Sequence, residues 1–96
     1  MLLRQGCAIP HCLADVLGTF GDRWFCRDHY LLCVVEFKDR QVVMRATMAR
    51  IAAQNPTTVS KQDLIRADQQ WESAARYEVA QDLIERERRE HKDETP

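Results

Sequence analysis

Three of the four cysteines and two of the three histidines of this chain lie within residues 7–29. Cys7 and Cys12 enclose a loop of four residues, and Cys26 is followed by His29 in Cys-x2-His spacing. Two such pairs of thiol and imidazole donors are typical of a closed, tetrahedral zinc site. The spacing therefore predicts one structural Zn2+ per chain, with Cys7, Cys12, Cys26 and His29 as its ligands.

Two other residues are alternative ligands for the same metal. Cys33 lies one helical turn beyond His29 and could take its place, and His11 could replace Cys12. A ligand from the first helical turn is favoured, because Cys33 falls among apolar residues, where a thiol packs as a small hydrophobe.

The chain is short, and its 96 residues predict a single domain (1–96) that buries too little surface to be stable with much margin. A structural metal would supply the missing stability. The longest apolar run without a charge, residues 30–35, is far too short to cross a membrane, and the first residues lack the apolar core of a secretory signal. A cytoplasmic location is expected, where thiols stay reduced and clustered cysteines act as metal ligands more often than as disulfides.

The charge of the chain is small and unevenly distributed. The formal net charge is −1, with residues 1–30 balanced, residues 31–58 carrying +2 and residues 59–96 carrying −3. A protein held to nucleic acid by phosphate neutralisation has a strongly basic surface instead. The composition therefore disfavours nucleic acid as the main partner and predicts only weak, nonspecific binding to it.

The local structure around the four ligands follows from short sequence signals. Residues 7–12 predict a tight loop similar to a zinc knuckle, and the Gly-Asp pair at residues 21–22 is typical of a two-residue turn between β-prone strands in residues 16–25. A helix is expected to follow at once, with His29 in its first turn. Together these elements make up a zinc module over residues 1–30.

A first helix is predicted over residues 27–54, which contain neither glycine nor proline. Its apolar residues form two rows about 100° apart by the 3.6-residue period. The first apolar row consists of Tyr30, Val34, Phe37, Met44, Met48 and Ile51. The second apolar row consists of Leu31, Val35, Val42, Ala46, Ala49 and Ala53. A helix that is apolar on two faces needs two partners.

A second helix is predicted over residues 60–90. The Asn-Pro pair at residues 55–56 ends the first helix, and Ser60 followed by Asp63 is typical of a capping box. The buried stripe of the second helix is expected to be Leu64, Ala67, Trp71, Ala75, Val79 and Leu83. The short connection predicts an antiparallel helix pair, and the charged residues 91–96 predict a frayed tail.

The Cys-x4-Cys loop at residues 7–12 and the WFCRDHY run at residues 24–30 resemble the short treble-clef zinc fingers of small bacterial and phage proteins, in which a Cys-x2-His-Tyr element starts the helix. The resemblance implies a mostly α fold, in which a treble-clef-like module of knuckle and short β-hairpin leads into a long antiparallel two-helix hairpin. It also implies a small regulatory protein that acts on a host or on replication machinery. Treble clefs serve in nucleases, nucleic-acid binders and adaptors alike, so the module type does not by itself define a function.

Enzymatic activity is not expected. A catalytic zinc keeps an open coordination position, whereas four protein ligands fill a tetrahedral site. Nucleases of the treble-clef type need a general-base histidine in the hairpin, and residues 16–25 contain no histidine. We therefore predict a non-enzymatic interaction or regulatory protein, in which zinc stabilises a helical hairpin that binds another protein or itself. The alternative is a zinc-finger nucleic-acid-binding protein or transcription regulator.

The second apolar row marks the expected contact with a partner. The first row is sufficient to pack the second helix, which leaves Leu31, Val35, Val42 and Ala46 for another surface. A two-fold homodimer around the first helix is the simplest prediction. The alternatives are that the zinc module folds back over Leu31 and Val35, or that a foreign protein occupies the row.

Overall fold

The computed structural model describes residues 6–94. Its elements in chain order are strand β1 (Val16–Phe20), strand β2 (Arg23–Cys26), helix α1 (Arg27–Gln54) and helix α2 (Lys61–Glu94). The prediction of a mostly helical chain with two helices and a short N-terminal hairpin is confirmed. Residues 1–5 of the predicted zinc module and residues 95–96 of the predicted tail lie outside the described residues.

Strands β1 and β2 form an antiparallel hairpin in which Phe20 lies opposite Arg23. Gly21 and Asp22 therefore make the two-residue turn that the sequence predicted. The φ angle of Gly21 is +64°, a left-handed conformation that glycine adopts without steric cost. The register shifts between Val16 and Gly18, an irregularity of the kind that bends and twists a short strand pair.

The tip of this hairpin lies directly on the backbone of α2. A Cβ atom added to Gly21 would lie 3.1 Å from the carbonyl oxygen of Arg76 and 3.2 Å from the Cα of Tyr77. Gly21 is thus required both by its φ angle and by the close approach of a helix. The turn fixes where the zinc module meets the second helix.

Helix α1 occupies the predicted range, residues 27–54, and ends two residues before a proline. The backbone N–H of Asn55 donates to the carbonyl oxygen of Ile51 at 3.1 Å, and its side-chain Nδ2 donates to the same oxygen at 2.9 Å. Pro56 follows and cannot continue the helix. Among the described residues, neither helix contains a stretch that is long and apolar enough to cross a membrane.

Helix α2 begins with the predicted capping box. The backbone N–H of Asp63 donates to Ser60 Oγ at 3.2 Å, and the backbone N–H of Ser60 donates to Asp63 Oδ2 at 3.0 Å. The helix then continues to Glu94, four residues beyond the predicted end at residue 90, while the fraying of the tail stays a prediction. Apart from His91 and Asp93, residues 85–94 are all good helix formers, and no glycine or proline among them stops the helix.

The buried core is concentrated at the hairpin end of the molecule. It consists of Ile9, Phe20, Phe25, Cys33, Phe37, Ala75, Val79, Ala80, Leu83 and Ile84. The Phe20 ring meets the rings of Tyr30 and Phe37 edge-on, with centroids 5.9 and 6.0 Å apart. The Phe37 ring also packs against Trp71 at 5.4 Å, so one aromatic cluster joins β1, α1 and α2.

Two ion pairs between the helices show that they are antiparallel. Arg40 binds Asp82 at 2.7 Å, and Arg45, farther along α1, binds Asp68, which lies earlier in α2. The order of the paired residues is reversed between the two helices, so the helices run in opposite directions.

Most of the first apolar row faces the core, but Ile51 does not. Its side chain is 48% exposed, while the neighbouring Ala52 is half-buried. A straight helix rotates by about 20° per heptad against a strict seven-residue repeat. After three heptads from Tyr30, this drift has moved position 51 away from α2.

The second apolar row is exposed along the whole of α1. Leu31 is 49%, Val35 57% and Val42 70% exposed. The hairpin packs on the side of α1 that carries Tyr30 and Phe37, so the alternative in which the zinc module folds back over Leu31 and Val35 is wrong.

We expect Gly21→Ala to lower the free energy of unfolding by about 1–2 kcal/mol from its left-handed φ alone. The loss should be larger in practice because backbone atoms of α2 cannot move aside. Urea unfolding of the purified protein measures it. Gly18→Ala is the matched control, since its added Cβ would meet only the Tyr30 ring at 4.0 Å. Equal stability of the two variants would contradict the described contact between the turn and α2.

Candidate metal centre

The first two candidate ligands lie at the ends of a tight loop. The backbone N–H of Cys12 donates to the carbonyl oxygen of Ile9 at 3.2 Å, and His11 has a φ angle of +66°, which turns the chain back on itself. The backbone N–H of Ala8 donates to the carbonyl oxygen of Trp24 at 2.7 Å. The loop is therefore closed internally and held against β2.

The other two candidate ligands lie where the hairpin becomes a helix. Cys26 is the last residue of β2 and also the N-cap of α1, with extended backbone angles. His29 lies in the first turn of α1, as predicted. Because the helix starts immediately after the strand, the thiol and the imidazole, three residues apart, project towards the same point.

The four side chains meet in one cluster. The ligand atoms of Cys7, Cys12, Cys26 and His29 all lie within 4.8 Å of one another. His29 Nδ1 lies 3.5 Å from Cys7 Sγ and 3.1 Å from Cys26 Sγ, and the Cys12 and Cys26 sulfurs are 3.8 Å apart. No disulfide joins them, because all four cysteines of the chain are free thiols.

Two of these separations match the edges of a tetrahedral zinc site, whereas the 3.1 Å between Cys26 Sγ and His29 Nδ1 is shorter than such an edge. With Zn–S bonds of about 2.3 Å and Zn–N bonds of about 2.05 Å, a regular tetrahedron places two sulfurs about 3.8 Å apart and a sulfur and a nitrogen about 3.5 Å apart. The Cys12–Cys26 and Cys7–His29 distances have these values. The group is thus close enough, and has the right donor chemistry, to hold a metal ion.

The electrostatics of the cluster favour a cation at its centre. Burial, together with the neighbouring Cys7 and Cys26 thiols, raises the pKa of the Cys12 thiol to about 11. Burial also opposes ionisation of Cys26, but the backbone N–H of His29 and hydrogen bonds with the other two thiols lower its pKa. Thiolates gathered at one point repel one another, and a positive charge between them offsets this repulsion.

The two alternative ligands lie outside the cluster. Cys33 is fully buried among apolar side chains, and burial raises its pKa to about 12, so it remains a neutral thiol in the core. The exposed side chain of His11 is not in the group of four. The structure therefore brings together the set Cys7, Cys12, Cys26 and His29.

Sequence reasoning missed the part that Ile9 plays in this site. Ile9 lies between the two loop cysteines, is 3% exposed and belongs to the same buried cluster as core residues of both helices. The signal was present, because a large apolar residue inside a short, turn-rich loop needs a buried environment. Its burial anchors the loop to the helices independently of any metal.

Comparison with protein-family models, with curated proteins and with solved structures finds no match for this chain.

We expect the purified protein to contain one Zn2+ per chain by elemental analysis. Cys7→Ser or Cys26→Ser should lose the metal and roughly several kcal/mol of folding free energy, because structural zinc binding contributes directly to folding. Full metal content with an unchanged melting temperature in either variant would refute the assignment of that ligand.

Matched substitutions of the residues outside the cluster serve as controls. His29→Ala should lose the metal, whereas His11→Asn, which suits the left-handed backbone at that position, should retain it. Cys33→Ala should also retain one metal per chain and lose only the stability due to core packing. Loss of zinc from either control would transfer the ligand role to that residue.

Proposed function

We propose that this chain is a small, non-enzymatic interaction protein whose fold is stabilised by one structural Zn2+. The observation that carries the proposal is the Cys3His group, whose separations include the sulfur–sulfur and sulfur–nitrogen edges of a tetrahedral zinc site. The order of loop, hairpin and helix around it supports a treble-clef-like module. The resemblance to small bacterial and phage zinc fingers extends this to a regulatory role.

A structural role for the metal follows from the number of donors. A catalytic zinc binds three protein ligands and leaves a position open for water or substrate. Here the four donors would complete the coordination shell. Two come from the loop, one from β2 and one from α1, so the bound ion would cross-link these three parts of the zinc module.

The surface proposed to meet a partner is the second apolar row of α1. Leu31, Val35, Val42 and Ala46 are exposed on the face opposite the core. Contiguous exposed apolar side chains on a small protein mark an interaction site. The zinc module would hold the start of α1 in place, and the remaining helix would present this row to another protein chain.

The ion pairs of the structure support a protein rather than a nucleic acid as the partner. Arg40, Arg45 and Arg76 are bound to carboxylates at 2.7, 3.2 and 2.9 Å. These guanidinium groups would have to exchange an acidic partner for a phosphate, which removes much of the gain from neutralisation.

Removal of the metal should destabilise the whole protein and not only the loop. We expect chelation to lower the melting temperature followed by circular dichroism, and added Zn2+ but not Mg2+ to restore it, because thiolates select zinc. An unchanged melting temperature after verified metal loss would contradict the structural role. A coloured, iron-containing protein would show that the site takes iron.

Binding to nucleic acid should be weak. For mixed DNA and RNA at physiological salt we expect dissociation constants no tighter than about 1 μM and no sequence preference. Fluorescence anisotropy with labelled oligonucleotides measures them. Submicromolar, sequence-selective binding would instead support the zinc-finger regulator of nucleic acids.

A further inference from the structure

The face of α1 opposite the core is apolar over almost its full length. Its apolar members, called the outer face here, are Leu31, Leu32, Val35, Val42, Val43, Ala46, Ala49 and Ala53. All are exposed, including Leu32 at 46% and Val43 at 66%, which extend the row beyond the residues that the sequence pattern singled out. Within the described residues, no other element covers this face.

The size of the side chains changes along the outer face. The large residues, Leu31 to Val43, lie in the first part of α1, and the small residues, Ala46 to Ala53, lie in the last part. Two such faces pack at an even distance only if the large end of one meets the small end of the other. This gradient therefore favours an antiparallel contact with an identical helix.

The charges along the same face have a matching gradient. Asp28 and Asp39 lie in the first half, where Glu36 and Lys38 flank the face on its two edges and balance each other, and Arg50 lies in the second half. Glu36 is bound by Arg40 within the chain, but among the described residues neither Asp39 nor Arg50 has an ion-pair partner. An antiparallel copy would bring the basic end of one helix to the acidic end of the other.

We propose that a second copy of this chain occupies the outer face. The two α1 helices would pack antiparallel about a two-fold axis that crosses them at the level of residue 44. In this register Asp39 lies beside Arg50 of the second copy, Val35 beside its Ala53, and Val42 beside its Ala46. Each contact occurs twice by symmetry. The proposal rests on the proposed function and names the partner of the same surface.

The same register is also favourable for the residues that lie beside the two-fold axis. Val43 would meet its own copy across the axis, which buries one of the most exposed apolar side chains of the molecule. Arg45 lies at the same level of α1 but turns towards α2, where its guanidinium is bound to Asp68 at 3.2 Å, so it brings no repulsion to the axis. A parallel dimer is less favourable, because Asp39 would face Asp39 of the second copy and the alanines would face one another across a gap.

Sedimentation equilibrium of the zinc-loaded protein at tens of micromolar tests the dimer. We expect the mass of two chains, and a monomer for Val42→Glu, which places two carboxylates beside the axis. Ala74→Glu is the matched control, since it adds a carboxylate at an exposed alanine of α2, and it should remain dimeric. A monomeric natural chain, or a dimer unaffected by Val42→Glu, would overturn the proposal.

A charge exchange tests the antiparallel register. Arg50→Asp should raise the dimer dissociation constant about tenfold, because it turns two attractive pairs into two repulsive ones. The double variant Asp39→Arg/Arg50→Asp should recover most of this loss. Without such recovery the register is wrong, since residues 39 and 50 are about 16 Å apart along one helix and compensate only between chains.

The metal content and the circular dichroism spectrum of every variant should be measured as well, because they show whether the self-association or the metal centre has failed. A folded, zinc-containing monomer would overturn self-association and leave the outer face for a foreign protein. A dimer without zinc would support the self-association and refute the metal centre.

Discussion

The meeting of three thiols and one imidazole at a single point is the constraint on which the rest of the structure depends. It brings together a loop, the end of a strand and the first turn of a helix. A two-stranded hairpin alone is marginally stable in water, and a chain of this size has little core to add. The apolar core lies next to these four side chains. It includes Ile9 from the loop and Phe25 from the hairpin, both almost fully buried. The candidate ligands and the apolar core thus lie at the same end of the molecule.

The two ends of the helical hairpin are stabilised differently. Near the zinc module, Phe37 packs against Phe20 and Trp71 in one aromatic cluster. Towards the interhelix loop, Met48 and Leu64 are only half-buried, and the helices are joined there mainly by the ion pair between Arg45 and Asp68. An ion pair this exposed contributes little to stability. The far end of α1 is therefore held less firmly than the end beside the candidate ligands.

The shape of the chain explains why one helix face has no internal cover. The Cα atoms extend over 56 × 37 × 15 Å and their radius of gyration is 17.4 Å, against about 13 Å for a compact domain of 100 residues. Two helices lying side by side with a hairpin against them make one thin layer. Such a layer has a second surface, and in this chain that surface is the apolar outer face of α1. Among residues 6–94, no other element covers it.

The sequence by itself determined the elements and the candidate ligands, because these depend on local signals. Spacing selected the four donors, the Gly-Asp pair at residues 21–22 placed the turn, and the absence of glycine and proline gave α1 its length. Only the tertiary structure decided which face of α1 the hairpin covers, since its two apolar rows are equivalent until something packs on one of them. The packing of Phe20 against Tyr30 and Phe37 made that choice and left the other row exposed. The end of α2 was likewise misjudged, because nothing in a run of charged helix formers distinguishes a helix that continues from one that frays.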